Sequence, residues 1–228
     1  MRTLIRSIPA AALALVLGTA HLAAQRAPGN GNFQWYIGGQ GGVMFFKTPT
    51  QGRSGIPTFG GHALIVAKRT GLMISVDEAV GDNETSAYTD AGGTQAVTFN
   101  DIRRYSAVLM AFPIRAAAQP YLGVGYGIIH VVNPTPASSA AFQSDAQEIG
   151  SAGFGTLLGG LQFQVGRFMA FGQYQITSAA STQRAFDGSS PPVMTAVGRL
   201  LDGPTHTFTG GLRIGLGSAR DDVRAGGY

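Results

Sequence analysis

Between Phe33 and Gly217 apolar residues alternate with polar or small ones at period two, and the gaps between alternating segments are by turns short and long. Period two puts successive side chains on opposite faces of a sheet. Eight segments carry the pattern. In Phe33–Thr48, residues Phe33, Trp35, Ile37, Val43 and Phe45 share one parity, against Gln34, Tyr36, Gln40 and Met44. Phe59–Lys68 is mostly apolar. Leu72–Val80 opposes Leu72, Ile74 and Val76 to Ser75 and Asp77, and Arg104–Arg115 groups Val108, Met110, Phe112 and Ile114. Tyr121–Val132 sets Leu122, Val124, Tyr126 and Ile128 against Tyr121 and three glycines. Ala152–Val165 sets Leu157, Leu161, Phe163 and Val165 against Thr156, Gln162 and Gln164. Phe168–Thr177 opposes Phe168, Ala170, Tyr174 and Ile176 to Gln173 and Gln175. Thr205–Gly217 opposes Phe208, Leu212, Ile214 and Leu216 to Thr205, Thr207, Thr209 and Arg213.

The connections set the topology. Arg69–Gly71, Ala116–Pro120 and Gly166–Arg167 are tight, whereas Pro49–Thr58, Gly81–Arg103, Asn133–Ser151 and Ser178–Pro204 are long and rich in Gly, Ser, Thr, Asp and Pro. Strict short–long alternation is the mark of antiparallel strands crossing one slab up and down. In hydrocarbon every backbone donor and acceptor needs an internal partner, so a sheet with an apolar outer face closes on itself. Strands of about 9–11 residues suffice to cross. The predicted fold is all-β: an eight-stranded antiparallel up-and-down transmembrane barrel preceded by a signal peptide. Eight strands enclose an interior filled by side chains.

Met1–Gln25 reads as that signal peptide, with Arg2 and Arg6 ahead of the apolar run Ile8–Leu17 and small residues over Gly18–Ala24. The expected organisation is a signal peptide over 1–25, a barrel domain over 26–217 and a short periplasmic tail over 218–228. The chain has no cysteine, which excludes disulfides, thiol catalysis and Cys-ligated metals. Charged residues are 12% of the chain, against about 25% in ordinary soluble domains. A net charge of +4 without a dense Lys/Arg cluster gives no support to nucleic-acid binding. The runs Gly38-Gly39-x-Gly41-Gly42 and Gly123-x-Gly125-x-Gly127 lack the Lys-Ser/Thr and the following helix of a phosphate loop. They read as strand positions of close backbone approach.

With this pattern the chain resembles the small outer-membrane β-barrels of the OmpA-like and OmpX-like group, over Phe33–Gly217. In that family the last strand carries an assembly signal of a polar residue, a glycine and a bulky pair. Thr209, Gly211, Ile214 and Leu216 fit it, with Leu216 where the family usually has an aromatic. The resemblance implies a bacterial outer-membrane location and contact with outer-membrane lipid and lipopolysaccharide. It further implies insertion by the barrel-assembly machinery, a monomer, and no cofactor. Aromatic residues gather at membrane interfaces, so Phe33, Trp35 and Phe168 are expected at the periplasmic rim and Phe45 and Phe208 at the outer rim.

Candidate chemistry is sparse. His62, His130 and His206 show no metal-binding spacing. Some family members act on lipid acyl chains through rim residues, and Ser139, His130 and Asp145 are the residues from which such a site could be built here. No catalytic, cofactor or metal residues are assigned. On the inward parity, Gln40, Asp77, Gln162, Gln173 and Arg213 are expected to form a polar network filling the lumen, with Asp77 as the carboxylate partner of Arg213. The leading functional reading is a non-enzymatic integral barrel with a structural or surface-interaction role and long outer loops. The alternatives are a soluble exported lipocalin-like barrel for a small apolar ligand, and a rim-active lipid acyl hydrolase or transferase. The first two predict opposite polarity of the outer and inner faces.

Overall fold

The computed structural model describes residues 33–114, 116–136, 143–179 and 183–218. The expected signal peptide and residues 219–228 lie outside that set. The chain runs β1 (Gln34–Phe46), β2 (Ser54–Ala67), β3 (Thr70–Asp90), β4 (Gly93–Ala111), β5 (Ala118–Val132) and β6 (Thr135–Pro136). Then follow α1 (Gln143–Ile149), β7 (Ser151–Val165), β8 (Phe168–Thr177), β9 (Gln183–Phe186), β10 (Met194–Gly198) and β11 (His206–Ser218). Eight of these strands, β1–β5, β7, β8 and β11, pair antiparallel with their neighbours, and β11 returns to β1 from Phe45↔His206 to Gln34↔Ser218. That last ladder closes the barrel and removes its edges.

Outward residues are the expected ones on β1, β3, β5, β7, β8 and β11: Ile37, Ile74, Leu122, Leu157, Phe168 and Leu212 are all exposed, as are their partners two residues along on β5 and β11. β4 differs. Val108, Met110 and Phe112 are buried inside the barrel, and Leu109, 65% exposed, holds the outward face. They join Tyr36, Leu64, Met73, Tyr121, Leu158 and Met169 in an apolar cluster at the short-turn end. The interior at that end is apolar, so hydrophobicity alone does not tell in from out on this strand.

The stretch Gly81–Arg103 is not a loop. β3 and β4 continue through it as a hairpin turning at Ala91–Gly92, with a register shift between Val80 and Glu84 where Asn83 adopts a positive φ. Period two persists there, with Glu84, Ser86, Tyr88, Val97 and Phe99 buried. The opposite face carries Thr85, Thr89 and Thr98 in place of aliphatic residues, so the strands rise beyond the apolar belt. The described parts of the connections from β5 to β7 and from β8 to β11 fold back over the same mouth. β10 pairs with β9 and with the β3 extension, through Ala196↔Asp90. Ala146 and Ile149 of α1, Ala185, Ala196, Leu200 and Leu201 bury themselves against Met44, Phe46, Ile56, Phe99, Val131 and Phe154.

Inward glycines mark close approach. At Gly42 an added Cβ would lie 1.8 Å from the Phe208 carbonyl oxygen, and at Gly125 2.2 Å from that of Ala107.

Leu161→Arg is expected to lower stability in lipid by about 2–4 kcal/mol, the cost of an Arg at the midplane of a barrel's lipid face. Thr89→Arg, on the exposed side of the hairpin above the belt, is expected to leave it unchanged. Urea unfolding in phospholipid vesicles measures both.

Candidate functional site

Between the two apolar clusters lies a polar layer in which the interior chemistry is concentrated. Asp77 of β3 and Arg104 of β4 stand opposite each other in register and are 1% and 0% exposed. Arg104 donates from Nη2 to Asp77 Oδ2 at 3.0 Å and from Nη1 to Thr207 Oγ1 at 2.8 Å. The Gln40 amide donates to the other carboxylate oxygen of Asp77. Burying a charge is costly unless it is paired and hydrogen-bonded, and this pair is both.

Arg213 sits one inward row nearer the short turns, in register with Gly38, which in turn pairs with His62. It is 0% exposed. Its Nε donates to His62 Nε2 at 2.8 Å and its Nη1 to Gln162 Oε1 at 2.7 Å. The guanidinium lies 4.0 Å from the Phe171 ring centroid and 5.6 Å from that of Tyr121, cation–π contacts that solvate it without a counter-charge. The Tyr121 hydroxyl donates to Gln173 Oε1 at 3.1 Å, and the Ser75 and Ser106 hydroxyls meet at 2.7 Å.

The five interior residues named from sequence therefore divide into two groups, one around Asp77 and one around Arg213 and Tyr121. Gln40 joins Asp77, Gln162 joins Arg213, and Gln173 joins Tyr121. The expected Arg213–Asp77 pair is corrected: the partner of Asp77 is Arg104. Parity places both Arg213 and Asp77 inside but says nothing of height, and the register sets them on different rows. Arg104 carries no signal of its own in the sequence, because its facing residue emerges only when β3 and β4 are read as one hairpin.

At the rims, Phe33, Trp35 and Phe168 are exposed at the short-turn end, and Phe45 and Phe208 meet edge to face at the other, centroids 6.4 Å apart. On β11, Thr209 faces the interior and Ile214 and Leu216 are exposed. An added Cβ at Gly211 would lie 2.1 Å from the Gly39 carbonyl oxygen. The rim trio is not brought together among the described residues. His130 Nδ1 bonds Ser151 Oγ at 2.6 Å, Asp145 accepts from Thr195, and Ser139 lies outside the described residues. At the long-loop mouth, burial and the nearby Asp90 and Asp145 push the Tyr88 phenol up to about 12. In the turn after β9, hydrogen bonds from Ser189 and Val193 hold the Asp187 carboxyl below its usual range.

No known family profile matches the sequence, and no curated protein does either. Solved structures do match. Neisserial surface protein A superposes with a TM-score of 0.51 at 8% identity, over 79% of this chain and 96% of that one. This is the fold of the small outer-membrane barrels. Ail, the attachment invasion locus protein of Yersinia pestis, matches at TM-score 0.43 and 14% identity, over 82% of this chain and 99% of that one. A major outer membrane protein from Thermus thermophilus matches at 0.44 and 14%, over 81% and 99%.

Arg104→Met strands the buried Asp77 carboxylate and is expected to cost about 3–5 kcal/mol, the cost of breaking a buried ion pair. Arg213→Met leaves only neutral His62 and Gln162 behind and is expected to cost less. The double variant Asp77→Leu/Arg104→Met is expected to recover most of the loss. Urea midpoints of the three proteins test the ordering.

Proposed function

We propose that this chain is an integral protein of a bacterial outer membrane with a structural or surface-interacting role, no open pore and no catalytic centre. One observation carries the reading: the outward parity is apolar around a ring that closes on its own backbone, while the interior is filled. A lipocalin-type carrier needs the reverse polarity, and the space its ligand would take is occupied here by Arg104, Arg213 and their partners. In this reading the short turns, the start of β1 and the end of β11 face the periplasm. The cap of α1, β9 and β10 faces outward, where the exposed Phe186, Val193 and Met194 supply apolar contact area to envelope or surface partners. Thr209, Gly211, Ile214 and Leu216 serve as the assembly signal for the insertion machinery. The aromatic residues at the two rims sit at the interfaces with lipid and lipopolysaccharide, and the barrel works as a monomer.

An epitope inserted at Ala91–Gly92 is expected to bind antibody on intact cells, and one at Gly166–Arg167 only after the outer membrane is opened. The reverse pattern would invert the topology. In planar bilayers the purified protein is expected to show no large steady conductance, because an eight-stranded ring leaves room for side chains and little else. Steady porin-like currents would overturn the closed-lumen reading.

A further inference from the structure

The outer face of the barrel has a groove that its own packing does not require. Across β1, β11 and β8, Gly41, Gly210 and Gly172 are direct neighbours in register. They floor a shallow, wide-open depression of about 650 Å³ bordered by Leu161, Tyr174 and Phe208. At Gly172 an added Cβ would meet nothing within 4 Å, and at Gly210 its nearest neighbour would lie at 3.5 Å, an ordinary contact. The inward Gly211 beside them has no such room, so the two parities hold glycine for different reasons. Side chains would fit on this floor, yet the belt is left open there while Leu and Phe fill it on either side.

Toward the long-loop rim the groove continues into a second recess of about 510 Å³, which shares Tyr174 and Phe208 and adds Phe45, Arg53 and His206. Arg53 is exposed and makes no hydrogen bond or ion pair among the described residues. His206 stacks on Tyr174, and the Tyr174 hydroxyl lies 2.6 Å from His206 Nδ1. A phenol proton donated to Nδ1 leaves the imidazole proton on Nε2, a donor for an anion. With the imidazole in that tautomer, the recess offers a cation and a hydrogen-bond donor at the watery end, with a shallow apolar strip leading away below them.

We infer that this groove seats an anionic membrane lipid, its phosphate held by Arg53 and His206 and one acyl chain lying along Gly41, Gly210 and Gly172. The assignment rests on the membrane reading above. A guanidinium and a nearby donor suit a phosphate, and the closed backbone ladders of the floor present no unpaired polar group to the chain. A second copy of the barrel fits less well. A two-fold contact through this face would bring Arg53 and His206 toward their own equivalents, with no carboxylate among the lining residues to offset them.

The full chain, refolded in detergent micelles, would be mixed with equal parts of phosphatidylglycerol and phosphatidylcholine and examined by native mass spectrometry. Folding is followed separately by heat-modifiable migration on gels. Wild type is expected to retain phosphatidylglycerol about fivefold over phosphatidylcholine, the preference that one basic residue gives at an anionic surface. Arg53→Glu is expected to abolish the preference, and Gly172→Leu, which fills the floor, to cut retention of both lipids. Arg167→Glu, in the exposed short turn at the opposite rim and lining neither recess, is expected to lower the preference less than Arg53→Glu does. Folded wild type that holds both lipids equally overturns the groove assignment, as does an effect of Arg167→Glu equal to that of Arg53→Glu. A Gly172→Leu variant that turns a dimer into a monomer with lipid retention unchanged overturns it in favour of a second copy. A wild-type chain with no folded band in micelles sinks the membrane reading itself, and the groove with it.

Discussion

Backbone pairing between the first and last strands is the constraint on which the rest of this structure depends. In a medium without water, an unpaired N–H or C=O costs several kcal/mol, and a row of them along two edges would be prohibitive. The β1–β11 ladder, from Phe45↔His206 to Gln34↔Ser218, removes that cost. Closure then fixes everything else. Alternate residues must face outward, the remainder must fit a narrow interior, and neighbouring stretches of backbone are held so near each other that Gly42 and Gly125 have no room for a Cβ.

The interior is layered. Apolar clusters fill the short-turn end and the capped mouth, and the charged layer between them is shielded from water on both sides. Asp77 and Arg104 answer this in the usual way, by pairing. Arg213 answers it with dipoles, two aromatic faces and the thioethers of Met73 and Met169. A polar layer of this kind adds little net stability over a well-packed apolar one, since desolvation offsets most of the attraction.

The barrel was legible in the sequence where its outer face meets an apolar surround, because there the alternation contrasts Leu, Ile and Val with Gln and Thr. It ceased to be legible above Val80. The hairpin continues with the same period, but Thr replaces the aliphatic residues on its outer side, and composition then resembles a loop. β4 was ambiguous for the opposite reason: Val108 and Met110 inside and Leu109 outside are equally apolar. The interior residues were found by parity, but their partners were not. A side chain's height in the lumen depends on the register of its strand against the next, and the bulge between Val80 and Glu84 is invisible in residue types. The outward glycines carried no signal either, since a glycine in a strand reads the same whether its absent side chain leaves a clash avoided or a space open.

The Arg213 contacts have a consequence for the order in which this ring comes together. His62 lies 151 residues before Arg213 and Gln162 lies 51 before it, on two strands that never pair with each other. The guanidinium is therefore solvated only when β2, β7 and β11 are all in place. Loop-closure entropy is spent before any such contact returns it. A half-wound sheet carries this charge without its shell, which makes partial rings poor resting states and ties completion to the arrival of the chain's last strand.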